Sequence, residues 1–145
     1  MRTVDRCRFQ GQHDPIPALH TATTDVRVLI VDDERFFQDV ARELVDATSG
    51  FHCVGAACSG EEGVDEADRL RPDLVLMDVR MPGIGGMEAA RRISARGNPA
   101  IVVFVSADEP VAAADRGPAP EIVPKRKLSR SLLRRLWEER AEPPS

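Results

Sequence analysis

No run of this chain approaches the roughly 18 consecutive apolar residues that a membrane-spanning helix requires. The N-terminal segment also lacks the apolar core of a secretory signal. The expectation is a cytoplasmic protein with no membrane partner. A basic excess is missing too: 20 Lys and Arg stand against 24 Asp and Glu, for a net charge of −4. That argues against direct nucleic-acid binding, which needs cations to displace the counterions of phosphate. Cysteine is scarce. Cys7, Cys53 and Cys58 show no metal-ligand spacing, and an odd count without a secretory signal suits a reducing compartment. Cys53 and Cys58 lie in or beside an apolar stretch and read as small core hydrophobes. Lysine is the rarest charge, present only as Lys125 and Lys127. A lysine at a pocket position therefore stands out.

At 145 residues the chain is long enough for one domain with a full core. Residues 1–25 are polar, with Pro15, Pro17, His13 and His20 and no period of 2 or 3.6, and read as a flexible extension. From residue 26 the pattern changes. Val26 to Val31 is a β-rich run ending on Asp32-Asp33. A helical pattern follows, with Phe36, Phe37, Val40, Ala41, Leu44 and Val45 recurring at helical spacing and Ser49-Gly50 as its stop. Residues 51–57 form a second strand. Ser59 with Glu62 is a capping box for a helix that turns Val64, Ala67 and Leu70 inward, and Pro72 ends it. Residues 73–78 are a third strand. Met87, Ala90 and Ile93 mark a third helix, stopped at Gly97-Asn98-Pro99. Ile101 to Val105 is a fourth strand, ending at Ser106.

Residues 109–115 suit only a short helix before Gly117, Pro118 and Pro120. Ile122-Val123 is a brief fifth strand before Lys125. Ser129 caps a last helix with Leu132, Leu133, Leu136 and Trp137 in one stripe. Residues 141–145 read as a tail or linker stub. Strands alternating with helices predict a parallel sheet covered on both faces. Right-handed crossovers then place every strand C-terminus along one edge. Asp32, Asp33, Asp78, Ser106 and Lys125 fall at or just past such ends, so the architecture brings them together.

Asp78 is the most informative of these. It ends Leu74-Val75-Leu76-Met77, and Met81-Pro82-Gly83 turns the chain soon after. Open α/β sheets bind ligands where their strands end. Three carboxylates at one edge repel, and some would be pushed toward protonation without a cation. A divalent ion relieves this, and an all-oxygen ligand set favours Mg²⁺. Asp78 then serves as a carboxylate nucleophile for a phosphoryl group, with the Lys125 ammonium and the Ser106 hydroxyl as donors to its oxygens. Singly, each residue has a blander reading: Asp32 or Asp33 as a helix cap, Ser106 as a cap, Lys125 as solvated surface. Those readings give no reason for five residues to meet at one edge. Gly83, Gly85 and Gly86 read as a turn, since no P-loop pattern surrounds them.

Residues 26–140 resemble a receiver domain of the two-component response regulators. The resemblance rests on Val28-Leu29-Ile30-Val31-Asp32-Asp33-Glu34, Leu76-Met77-Asp78-Val79-Arg80-Met81-Pro82-Gly83, Val105-Ser106-Ala107, and Lys125 after a short apolar strand. It implies a flavodoxin-like α/β sandwich with a five-stranded parallel sheet of order 2-1-3-4-5, here with a shortened fourth helix. It further implies Asp78 as phosphoacceptor, and Mg²⁺ held by Asp33, Asp78 and the Arg80 backbone carbonyl with Asp32 nearby. Ser106 is implied as the switch hydroxyl and Lys125 as the partner of Asp78 and later of the phosphoryl group. Arg80 and Asp108 hold positions that tune hydrolysis. The implied partners are a sensor histidine kinase or phosphotransfer protein and a downstream effector or missing output domain. A homodimer is a further expectation. The wording around Asp78 and Lys125 is closest to regulators with a helix-turn-helix output domain.

Two departures from that pattern stand out. Helix 4 is clipped, and Ile122 holds the place of an aromatic switch residue. The phosphoacceptor reading makes the chain a regulator rather than an enzyme. The alternatives are a degenerate receiver used only for docking and an aspartyl-nucleophile phosphatase. The second is opposed by Arg80, which stands where haloacid-dehalogenase-like enzymes carry a second Asp.

Overall fold

The computed structural model describes residues 25–107 and 121–141. The expected extension up to residue 24, with Cys7, His13 and His20, lies outside the described residues. So do Asp108, the expected short helix over 109–115, and residues 142–145.

Five strands form one sheet: β1 (Val26–Val31), β2 (Phe51–Ala57), β3 (Leu74–Asp78), β4 (Ile101–Ser106) and β5 (Ile122–Pro124). All neighbours run parallel, in the order β2-β1-β3-β4-β5. Among the described residues four α-helices accompany them: α1 (Arg35–Ala47), α2 (Gly60–Leu70), α3 (Gly85–Ala95) and α4 (Arg130–Ala141). This is the flavodoxin-like arrangement that the alternating pattern predicts. β3 is buried at every residue, which is why its sequence is continuously apolar up to Asp78.

The sheet divides the core in two. On one face Val28, Ile30, Leu74, Leu76 and Val105 pack with Phe37, Ala41 and Val45 of α1 and Leu133 and Leu136 of α4. On the other, Leu29, Val31, Val75 and Met77 pack with Val64 and Ala67 of α2 and Ala89 and Ile93 of α3. The alternation of inward faces along β1 and β3 feeds both clusters.

The helix boundaries have local causes. The Ser59 Oγ accepts from the Glu62 amide, and the Glu62 carboxylate accepts from the Cys58 amide, closing the α2 cap at both ends. α2 ends with Arg71 in the left-handed region at φ 51°, just before Pro72. Ser129 caps α4 through the Leu132 amide.

Three apolar residues of the helical patterns face outward. Phe36 and Val40 of α1 are 78% and 45% exposed, and Met87 of α3 is exposed. In α1 the buried places go to Phe37, Gln38, Ala41 and Val45; in α3 they go to Gly86, Ala89 and Ile93. Gln38 displaces an apolar residue because its Nε2 donates to the backbone carbonyls of Asp32 and Ala57, at 2.7 and 3.2 Å. Buried carbonyls at strand ends need a donor, and an apolar side chain has none. Cys53 is a buried free thiol, and burial pushes it up to about 12. Cys58, expected as a core hydrophobe, is only half-buried.

Candidate functional site

The C-terminal ends of β1, β3 and β4, with the residue that follows β5, open into one cleft of about 200 Å³. Its walls are Asp33, Glu34, Asp78, Arg80, Ser106, Ala107 and Lys125. Asp32 lies beneath it, fully buried. Carboxylate oxygens of Asp32, Asp33 and Asp78 all lie within 4.8 Å of one another. Asp78 and Ser106 are buried, while Asp33 is exposed. The residues named from the sequence are therefore neighbours in space.

Each has a structural reason to be there. The parallel register pairs Asp78 with Val105, one residue before Ser106, and pairs Ser106 with Pro124, one residue before Lys125. Side chains at the ends of three adjoining strands thus sit side by side. Asp32 leaves β1 and its Oδ1 accepts from the Glu34 amide at 2.8 Å. That bond makes a local turn leading into α1, whose N-cap is Glu34 with no side-chain cap, so Asp32 is not the helix cap. The other oxygen meets Lys125.

The Lys125 ammonium is surrounded by acids. It lies 2.7 Å from Asp32 Oδ2, 3.4 Å from Glu34 Oε1 and 3.8 Å from Asp78 Oδ2. Sequence reasoning pairs it with Asp78; the structure places it nearer Asp32. Glu34 and Phe37 were missed as neighbours of Lys125. Nothing in the sequence flags them, because an acid at a helix start and an apolar residue on a helix face are both ordinary.

Charge crowding shows in the titration of the carboxyls. Burial, then the Asp32 charge, pushes Asp78 up to about 6, against opposing pulls from Lys125 and the Arg80 backbone amide. Burial also raises Asp32, opposed chiefly by its hydrogen bond with Lys125. Burial alone would lower Lys125, but Asp32, Asp78 and Glu34 together raise it. Three carboxylates, of which Asp32 and Asp78 are buried and Asp33 is exposed, meet one ammonium and leave an uncompensated negative charge. An all-oxygen set of this kind fits a divalent cation, and Mg²⁺ most closely.

The sign of the pH effect follows. A carboxyl raised in the folded state stabilises the fold below its unfolded value and loses that contribution as the pH climbs through its folded value. For the metal-free protein, stability is expected to fall between pH 4 and pH 6.5 by roughly 2 kcal/mol on account of Asp78. Saturating Mg²⁺ is expected to flatten the decline. Urea unfolding at both pH values, in EDTA and in Mg²⁺, measures it, and a metal-free protein that is more stable at the higher pH would contradict it.

A five-stranded parallel sheet of this order, with an acidic cleft and a buried lysine at its C-terminal edge, is a receiver architecture. The family model for the response regulator receiver domain matches residues 28–134. The chain belongs to that family. It is 37% identical over 106 residues to a protein-glutamate methylesterase/protein-glutamine glutaminase of Alkalilimnicola ehrlichii, covering 70% of this chain and 27% of that protein. It is 47% identical over 68 residues to the response regulator GacA of Pseudomonas viridiflava, covering 47% of this chain and 32% of that one. The response regulator domain of Thermotoga maritima CheB superposes with a TM-score of 0.68 at 30% identity, over 83% of this chain and 99% of that one. The chain thus spans about a third or less of the length of these two curated relatives. Receiver domains of this family work in two-component signalling and bind Mg²⁺. No helix among the described residues is long and apolar enough to cross a membrane.

Proposed function

We propose that this chain is a phosphoacceptor module whose Asp78 receives a phosphoryl group from the phosphohistidine of a sensor histidine kinase or phosphotransfer protein. The observation that carries the reading is the meeting of Asp78, Asp32, Asp33 and the Lys125 ammonium in one cleft. The Asp78 carboxylate oxygen attacks phosphorus, the bond from phosphorus to the donor's leaving group breaks, and an acyl phosphate results. Lys125 and the Ser106 hydroxyl offer a cation and a neutral donor to the phosphoryl oxygens. Asp33, Asp78 and the Arg80 backbone carbonyl, with Asp32 behind them, would hold Mg²⁺. When bound, that ion supplies positive charge to the phosphoryl oxygens and to the crowded carboxylates.

The same reading makes the chain a regulator rather than an enzyme. An aspartyl-nucleophile phosphatase needs an acid/base group close to its nucleophile, and the residue two places on is Arg80. The domain is placed at residues 26–140, between an extension and a tail, in the cytoplasm. Its output is exerted through a downstream effector or a further domain. Ile122 lies in register with Phe104 and is half-buried. With no ring to rotate there, movement of Ser106 is transmitted without an aromatic swing. Incubation with acetyl phosphate and Mg²⁺ followed by intact mass tests the central step. A mass increment of one phosphoryl group is expected only with Mg²⁺ present; no increment under any condition would refute the reading.

The donor also needs a surface to dock on. Phe36 and Val40 lie one turn apart on α1, exposed, in the helix that follows the cleft residue Glu34. An aromatic beside the reacting group is a common anchor for a partner. Phe36→Ala is expected to slow transfer from a phosphorylated histidine phosphotransfer domain about tenfold. Labelling by acetyl phosphate, which needs no docking surface, is expected to stay unchanged. Equal slowing with both donors would place Phe36 in the fold of the site instead.

A further inference from the structure

Lys125 is held on more sides than the phosphoacceptor reading requires. Asp32 and Asp78 face its ammonium from β1 and β3, and Glu34 from the solvent side. The Phe37 ring also faces it, with the ring centroid 4.5 Å from Nζ. Phe37 is 7% exposed and the Lys125 side chain 11%. The contact is therefore nearly dry, where a cation over a ring face is attracted most strongly.

We propose that Phe37 is a positioning residue for phosphoryl acceptance, its ring face holding the Lys125 ammonium in the space between Asp32 and Asp78. The proposal rests on the phosphoacceptor reading above. A lysine ammonium is a point charge on a flexible four-carbon stem and has no geometry of its own to keep it in place. Glu34, more than half exposed, draws it toward solvent and away from Asp78. The ring opposes that pull from the buried side. A further carboxylate at the same spot would attract the ammonium as well, but it would add charge beside three carboxylates and an incoming phosphoryl group. The negative face of a ring attracts the cation without adding net charge. An aliphatic side chain would fill the space without the attraction.

The small number of lysines makes this measurable. Protein labelled with ¹³C-lysine shows two lysine side chains, Lys125 and Lys127. Ring current from Phe37 is expected to move the Lys125 ε-methylene protons upfield of those of Lys127, and Phe37→Leu is expected to abolish the difference. The same variant is expected to take phosphate from acetyl phosphate about three- to tenfold more slowly. Its Mg²⁺ concentration for half-maximal rate is expected to stay at the wild-type value, because the ring supplies no ligand to the metal. Val45→Ala, a core truncation on the same helix and in the same apolar cluster, controls for lost stability and is expected to keep the wild-type rate. Coincident Lys125 and Lys127 signals in the wild type would overturn the proposal. So would a wild-type rate in Phe37→Leu, or an equal slowing in Val45→Ala. A wild-type protein that takes no phosphoryl group would instead overturn the functional reading itself, and the two failures are told apart by that one measurement.

Discussion

Asp78→Asn is expected to lose the phosphoryl mass increment completely and to gain stability when metal is absent. The amide keeps the shape of the carboxyl but offers no anionic oxygen to phosphorus, so no acyl phosphate forms. Stability moves the other way because the wild-type carboxyl is ionised at a cost. Burial and the Asp32 charge hold Asp78 at about 6, so near neutral pH the metal-free fold carries a charge its surroundings disfavour. Removing it is expected to stabilise the metal-free protein at pH 7.5 by about 1–3 kcal/mol. The gain is expected to shrink below pH 5, where the wild-type side chain is already neutral. Mg²⁺ is expected to stabilise the variant less than the wild type. Intact mass after acetyl phosphate treatment and urea unfolding in EDTA check both halves. An undiminished mass gain would move the phosphoacceptor elsewhere.

Gly86→Ala is expected to destabilise the fold by about 3 kcal/mol, near the upper end of what overpacking usually costs. A Cβ built at Gly86 would stand 2.1 Å from the Asp78 carbonyl oxygen and 3.0 Å from Val79 Cα. Both are backbone, so no side-chain rotation relieves the clash. The Gly86 amide also donates to the Val79 carbonyl at 3.2 Å, which ties α3 to the end of β3. Moving α3 outward would displace the peptide that carries Asp78. The variant is therefore expected to lose phosphoryl acceptance in the fraction that still folds. Gly97→Ala is the comparison. Its φ is +80° with nothing within 4 Å of the added carbon, so only backbone strain of about 1 kcal/mol applies. Equal denaturation midpoints for the two variants would refute the clash as the cause.

The legibility of the chain varied with the kind of question. Apolar runs between breakers showed each strand, because a strand buried on both faces can hold little else. The capping residues Ser59 and Ser129 were legible for a similar reason: an orphan amide at a helix start needs an acceptor close in sequence. Helix faces were harder. α1 carries Phe36, Phe37, Val40 and Ala41, an apolar stripe wider than the sheet can cover. Adjacent residues on a helix point about 100° apart, so Phe36 and Phe37 could not both be core. Which of them was exposed depended on how α1 crosses the sheet. Gln38 is a polar residue buried at that crossing, where its amide donates to the carbonyls of Asp32 and Ala57. In α3 a glycine took the closest approach and left Met87 outside.

The sequence by itself determined the order of strands and helices, the parallel sheet, and the set of Asp32, Asp33, Asp78, Ser106 and Lys125 at one edge. Those follow from local patterns and from the handedness of the crossovers. Only the tertiary structure decided how the set is arranged. It put the Lys125 ammonium nearer Asp32 than Asp78, brought Glu34 to its open side and set the Phe37 ring against its buried side. Such distances arise from register between strands and from the seat of α1 on the sheet, and neither is written in any single stretch of residues.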